Sequence, residues 1–170
     1  MKYIFVHGMG QTGEDWRETL SRMGAKIDSE CPDLRKMTEE EICYENLRQS
    51  FFGYCNGFPE KINLCGLSLG GMLSLDYAVN FPERVYSLVL IGTQYKPPKN
   101  LLKFQNFLFK LMPGKAFEGS GFNKREFMAL SESMAELDFT EKLPKISCKT
   151  LVIIGEKDSP NKKAAMVLAE

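Results

Sequence analysis

Four short, largely apolar runs constrain this chain more than any other feature: Tyr3 to Val6, Lys61 to Cys65, Val85 to Ile91 and Thr150 to Ile154, with glycine at positions 8, 66 and 155 to stop three of them. Runs this short, without sustained polar alternation, are strands buried on both faces of a parallel sheet. The segments between them are predicted helical. One spans Glu14 to Met23, and a second is opened by Thr38, whose hydroxyl caps while Glu41 reaches back to it. Ile42, Leu47, Phe51 and Phe52 supply that helix's buried stripe. A third runs from Leu69 to Asn80 and is stopped by Phe81-Pro82, and a fourth from about Asn161 to the last residue. Ala25 to Asp28 is a weak additional strand.

Strands alternating with helices imply right-handed crossovers and an α/β class, with a mostly parallel, doubly wound sheet and helices on both faces. The chain's 170 residues suit a single domain. One excursion, about residues 95–147, breaks the rhythm. It opens at Pro97-Pro98 and holds two predicted helices, Asn100 to Met112 and Asn123 to Leu137, around a Gly-rich stretch from Pro113 to Gly121. That is too long for a plain loop and reads as a helical cap over one end of the sheet.

Composition narrows the function classes. With 44% hydrophobic and 26% charged residues, the chain is neither disordered nor a coiled coil. Twenty-two basic residues balance 22 acidic ones, so no bulk field draws nucleic acid or anionic lipid. The five cysteines are odd in number and never paired as C-x-x-C, so they read as reduced, mostly buried thiols. The first apolar run is too short for a signal peptide, and no run of 18 apolar residues spans a membrane, which places the chain by default in the cytoplasm.

Gly66-Leu67-Ser68-Leu69-Gly70 is a G-x-S-x-G sequence lying after a predicted strand and before a predicted helix. In that setting the strand turns sharply into the helix and presents the serine hydroxyl at the end of the sheet. The backbone N–H of Leu69 then lies at a helix N-terminus, where a developing oxyanion is stabilised. The plainer role is a glycine-rich turn whose Ser68 only caps. A P-loop does not fit, because Met72 follows Gly70-Gly71 where a lysine is required. A second glycine pattern, Gly8-x-Gly10-x-x-Gly13, fits a dinucleotide fingerprint with Asp28 or Asp33 as the acidic partner. Against it, Glu14 and Asp15 occupy the helical turn that a pyrophosphate needs.

With these motifs the chain resembles the α/β-hydrolase superfamily over nearly its whole length. Val6-His7-Gly8 is similar to the family's first strand end, Cys31-Pro32-Asp33-Leu34 to its Pro-Asp-Leu turn, and Tyr77 to Val85 to the helix after the serine. Trp16 sits where the family often has an aromatic. Thr150 to Asp158 is similar to the strand and turn that carry the catalytic acid. The resemblance implies Ser68 as nucleophile, Asp158 as the acid orienting a histidine, and the N–H groups of Met9 and Leu69 as oxyanion hole, with Gly10 beside Met9. It also implies substrate contacts from Gly8 and from the cap residues Phe104 and Leu108. Leu101, Phe104, Leu108 and Leu111, with Phe107 and Met112, form an apolar stripe at helical spacing. That stripe either lines an acyl pocket or packs on the sheet, and two lysines, Lys103 and Lys110, give it a thin basic face for a membrane-surface role.

The histidine departs from the family pattern. Twelve residues follow Asp158 and none is a histidine, while the single histidine, His7, matches a structural position. The chain as given is therefore expected to stop short of the family's last strand and helix and of its catalytic histidine, leaving the Thr150 strand as an apolar edge. The implied activity is hydrolysis of a carboxylic ester, or a related thioester, amide or lactone, of a small apolar acyl group through an acyl-enzyme. It needs no metal or organic cofactor, and its partner is the small-molecule substrate rather than nucleic acid. The alternatives are a catalytically silent binding protein of the same fold and, more remotely, an NAD(P)-dependent oxidoreductase.

Overall fold

The computed structural model describes residues 1–23 and 27–170. Its elements in chain order are β1 (Tyr3–Val6), a 3-10 turn (Gly13–Trp16) leading into α1 (Arg17–Arg22), β2 (Ser29–Glu30), α2 (Tyr44–Asn56), β3 (Ile62–Leu67), α3 (Leu69–Asn80), β4 (Val85–Ile91), α4 (Lys99–Leu111), α5 (Lys124–Ser133), β5 (Lys149–Ile153) and α6 (Ser159–Leu168). All five strands are parallel, in the order β2-β1-β3-β4-β5. The chain leaves β1 toward β2 but leaves β3 toward β4. With right-handed crossovers, these opposite directions put the two connections on opposite faces of the sheet. The reversal between β1 and β3 opens a crevice at their carboxyl ends, the place where sheets of this class bind ligands.

The core lies between the sheet and α2 and α3. Leu64 and Leu88 of the sheet are buried, as are Leu73, Leu75 and Tyr77 of α3. Phe52 of α2 packs edge-on against Tyr77 and Phe81, with ring centroids 5.3 and 5.5 Å apart. Asp76 of α3 is the polar clasp of this layer. It accepts from Arg48 Nε at 2.9 Å, Tyr44 Oη at 3.2 Å and Asn80 Nδ2 at 2.8 Å, so the buried carboxylate has a partner on each oxygen.

Several boundaries differ from the sequence expectation. Thr38 does not open a helix. Its hydroxyl accepts from the Glu40 N–H two residues on, a local turn that competes with helix entry, and α2 begins only at Tyr44, whose N–H donates to Ser133 Oγ of α5 at 2.8 Å. Ile42 is buried ahead of the helix rather than within it. Of the weak strand expected over Ala25 to Asp28, Ala25 and Lys26 lie outside the described residues. The pairing with β1 is made by Ser29 and Glu30 instead. The first predicted helix starts as a tighter 3-10 turn, because the Asp15 carboxylate accepts from the Thr12 N–H at 2.7 Å and closes the turn early. The same carboxylate occupies the turn that a dinucleotide pyrophosphate would need. The thiols are all free, but only Cys55 is fully buried and the other four are partly exposed. Burial pushes the Cys31, Cys55, Cys65 and Cys148 thiols up, Cys65 to about 11, the reverse of what a reactive thiolate requires. β5 pairs only with β4 among the described residues and keeps Leu151 and Ile153 exposed.

His7 closes β1 and ties it to the turn after β2. Its Nδ1 lies 2.8 Å from Gly8 O, and its Nε2 lies 3.0 Å from the Leu34 N, so both ring nitrogens are used. A carbonyl only accepts and an N–H only donates, which fixes the neutral ring with its proton on Nδ1. Burial holds the His7 pKa below its usual 6.5. A folded-state pKa below the unfolded one gives stability that is complete above pH 6.5 and is lost as pH falls through the window down to the lowered value. Denaturant unfolding of wild type and His7→Gln between pH 8 and pH 5 should therefore show the stability gap narrowing as the pH drops. A gap that stays constant across that range would contradict the buried neutral imidazole.

Candidate active site

The chain passes from β3 to α3 with no loop at all, and this can happen only where backbones approach without side chains. A Cβ on Gly66 would collide with the Gly70 carbonyl, and one on Gly70 with the carbonyl oxygens of Val6 and His7 in the neighbouring strand. Ser68, at the apex, is forced to φ 51° and ψ −111°, the only positive φ at a non-glycine among the described residues. Such a backbone costs about 1–3 kcal/mol and persists only where its surroundings dictate it. The turn aims Ser68 into the crevice at the carboxyl ends of the strands, together with the first N–H groups of α3, which have no intrahelical acceptor.

Ser68, Leu69, Met9, Asp158, Phe104 and Leu108 line one cavity of about 440 Å³. They arrive from three carboxyl ends and one helix: Met9 after β1, Ser68 and Leu69 after β3, Asp158 after β5, and the two apolar residues from α4 above. The Met9 N–H has no hydrogen-bond partner among the described residues. Gly8 does not line this cavity. Its N–H donates to Gln11 Oε1 at 2.9 Å, and a Cβ there would lie 3.0 Å from that same oxygen, so the glycine leaves space for the Gln11 side chain.

Asp158 is the N-cap of α6, and Asn161 fixes its carboxylate by donating from Nδ2 to both oxygens at 3.0 and 2.9 Å. Oδ1 also accepts from the Asn161 N–H at 3.4 Å, so it is Oδ2 that keeps a lone pair for a further donor. Gln94, after β4, in turn donates to Asn161 Oδ1 at 2.7 Å, so a chain of two amides runs from the β4 end to the acid. Sequence reasoning passed over both Gln94 and Asn161. Asp158-Ser-Pro160 was the available signal, since Asp at the N-cap with proline in the first turn is a helix start, and α6 begins at Ser159, two residues before the start expected at Asn161. Apart from Gln105 the remaining wall is apolar, with Met72, Pro97, Pro98, Leu102 and Met134. Few polar groups converging in an apolar cavity of this size is the pattern of a small-molecule site.

Residues 58–165 match the family model described as alpha/beta hydrolase fold. Over 94 residues the chain is 30% identical to the pimeloyl-[acyl-carrier protein] methyl ester esterase of Vibrio parahaemolyticus, which takes in 55% of this chain and 37% of that protein. A match at 23% identity to an uncharacterized protein of Mycobacterium tuberculosis takes in 64% of this chain and 32% of that one. The chain thus spans about a third of the length of these curated relatives. Among solved structures, the enol-lactonase from Burkholderia xenovorans LB400 superposes with a TM-score of 0.83 at 15% identity, over 99% of this chain and 78% of that one. A thermophilic esterase from Thermogutta terrifontis does so with a TM-score of 0.77 at 23% identity, over 99% and 76%. At these identities the likeness is one of fold.

The strain at Ser68 gives a prediction. Ser68→Gly relieves the positive φ and should stabilise the chain by about 1 kcal/mol, raising Tm by about 2–4 °C. Calorimetry showing a lower Tm for the glycine variant would contradict a strained backbone at this position.

Proposed function

The chain belongs to the alpha/beta hydrolase fold family, and on that premise we propose that it is a serine hydrolase cleaving a carboxylic ester of a small apolar acyl group through an acyl-enzyme. The observation that carries this reading is the meeting of a strained Ser68, the anchored Asp158 and the N–H groups of Met9 and Leu69 on one apolar cavity. The ester named for the Vibrio relative supports the bond class. In the proposed sequence Ser68 Oγ attacks the acyl carbon and its proton passes to a histidine. The carbonyl oxygen becomes an oxyanion held by the two N–H groups, and the alcohol leaves with the proton returned. Water then releases the acid by the same steps. The two helices between β4 and β5 act as the cap, with Phe104 and Leu108 against the acyl chain.

His7 is not the base, because both its nitrogens are committed to backbone groups. The proposal takes that histidine from outside residues 1–170, its Nδ1–H donated to Asp158. A fluorophosphonate probe, which reacts only with an activated serine, tests the reading on protein purified from its own source. The peptide holding Ser68 should carry the adduct, Ser68→Ala should carry none, and Asp158→Asn should lower kcat about 10⁴-fold. An unmodified Ser68 under conditions that label a reference serine hydrolase would overturn the hydrolase reading in favour of a silent binding protein.

A further inference from the structure

Helix α4 packs Leu102 and Phe109 inward and still turns a second apolar side to water. Its outer side exposes Phe104 at 60%, Phe107 at 57% and Leu111 at 70%, with Leu108 and Met112 also exposed. Asn106 is buried on its inner side, with Oδ1 unpartnered among the described residues. At about 100° per residue, Phe107, Leu111, Phe104 and Leu108 span an arc of about 100°, with Lys99, Lys110 and Lys103 grouped along one flank of it. Residues 97–117 hold four lysines and no carboxylate, a local excess hidden in a chain whose total charge is zero. Lys99 pairs with Glu136, while Lys103, Lys110 and Lys115 have no ion-pair partner among the described residues. Lys124 Nζ donates to the carbonyls of Lys110 at 2.8 Å and Met112 at 2.6 Å, which anchors the helix end and holds this face in place.

We propose that α4 is an interfacial docking helix that seats the protein on an anionic lipid surface, with Phe107 and Leu111 in the acyl layer and the lysines among the headgroups. A continuous apolar arc edged by unpaired lysines is the arrangement that binds such a surface. An antiparallel second copy does not match it, because face-to-face packing then brings the lysine flanks together. Continuity with the cavity sets the consequence. Phe104 and Leu108 belong both to this face and to the wall of the Ser68 cavity. A docked molecule opens that cavity toward the lipid, and on the ester-hydrolase reading its substrates are then amphiphilic esters drawn from the lipid layer.

Co-sedimentation with phosphatidylcholine vesicles, with and without phosphatidylglycerol, tests the docking on the whole chain. Binding to the anionic vesicles is expected, weakening as salt is raised and by about fivefold for each of Lys103→Gln and Lys110→Gln. The double variant Phe107→Ser, Leu111→Ser should weaken it at least about tenfold, and its far-ultraviolet circular dichroism should stay unchanged, because both side chains already face solvent. Ser68→Ala should bind like wild type, which separates failure of the docking from failure of the chemistry. Three results would overturn the proposal: no binding to either vesicle, a Phe107→Ser, Leu111→Ser variant that binds as well as wild type, or a soluble dimer that this double substitution abolishes.

Discussion

Gly70 lies so close to the carbonyl oxygens of Val6 and His7 that no side chain fits between α3 and β1, and the rest of the site follows from that contact. The close approach brings the N-terminus of α3 against the end of β1, which sets the Leu69 N–H beside the segment that carries Met9. It also removes any slack between β3 and α3, so the residue at the apex must take a backbone that only glycine adopts easily. That residue is Ser68. The strain is maintained by the parallel ladders of β3 with β1 on one side and β4 on the other, both continuous to the carboxyl ends of the strands.

The same sheet explains why the acid arrives where it does. β5 pairs with β4 and delivers its following turn to the cavity that receives the ends of β1 and β3. Asp158 caps α6 there, and Asn161 and Gln94 restrain it from behind. His7, though two residues before Met9 in the sequence, serves the frame instead. It is neutral, buried and bonded to the Leu34 N–H, which fastens the turn after β2 to the end of β1.

Much of this was legible in the sequence, and the exceptions have physical causes. The strands Tyr3–Val6 and Val85–Ile91 and the helix Leu69–Asn80 fall where their apolar runs and Phe81-Pro82 put them, because burial and proline act locally. The start of α2 was missed by five residues, with Cys43 rather than Thr38 at the cap: a turn made by Thr38 with Glu40 displaced the cap, and a distant residue, Ser133, receives the Tyr44 N–H. The tertiary contact could not be read from a local pattern. The serine turn was legible because its glycines and its strand-to-helix setting are sequence properties. Gln94 and Asn161 were not, since their meeting depends on how far β4 and β5 extend side by side. The apolar stripe of α4 was visible, but that it faces water while Leu102 and Asn106 turn inward was not, because that depends on how α4 sits against α5.

The central claim is that the Met9 and Leu69 N–H groups and Ser68 converge on one reacting carbonyl. A crystal structure of the protein carrying a phosphonate on Ser68 addresses it directly. The phosphoryl oxygen that mimics the oxyanion should lie about 2.7–3.1 Å from both backbone nitrogens, with the alkyl group against Phe104 and Leu108. An oxygen turned toward solvent, away from either nitrogen, would contradict the account.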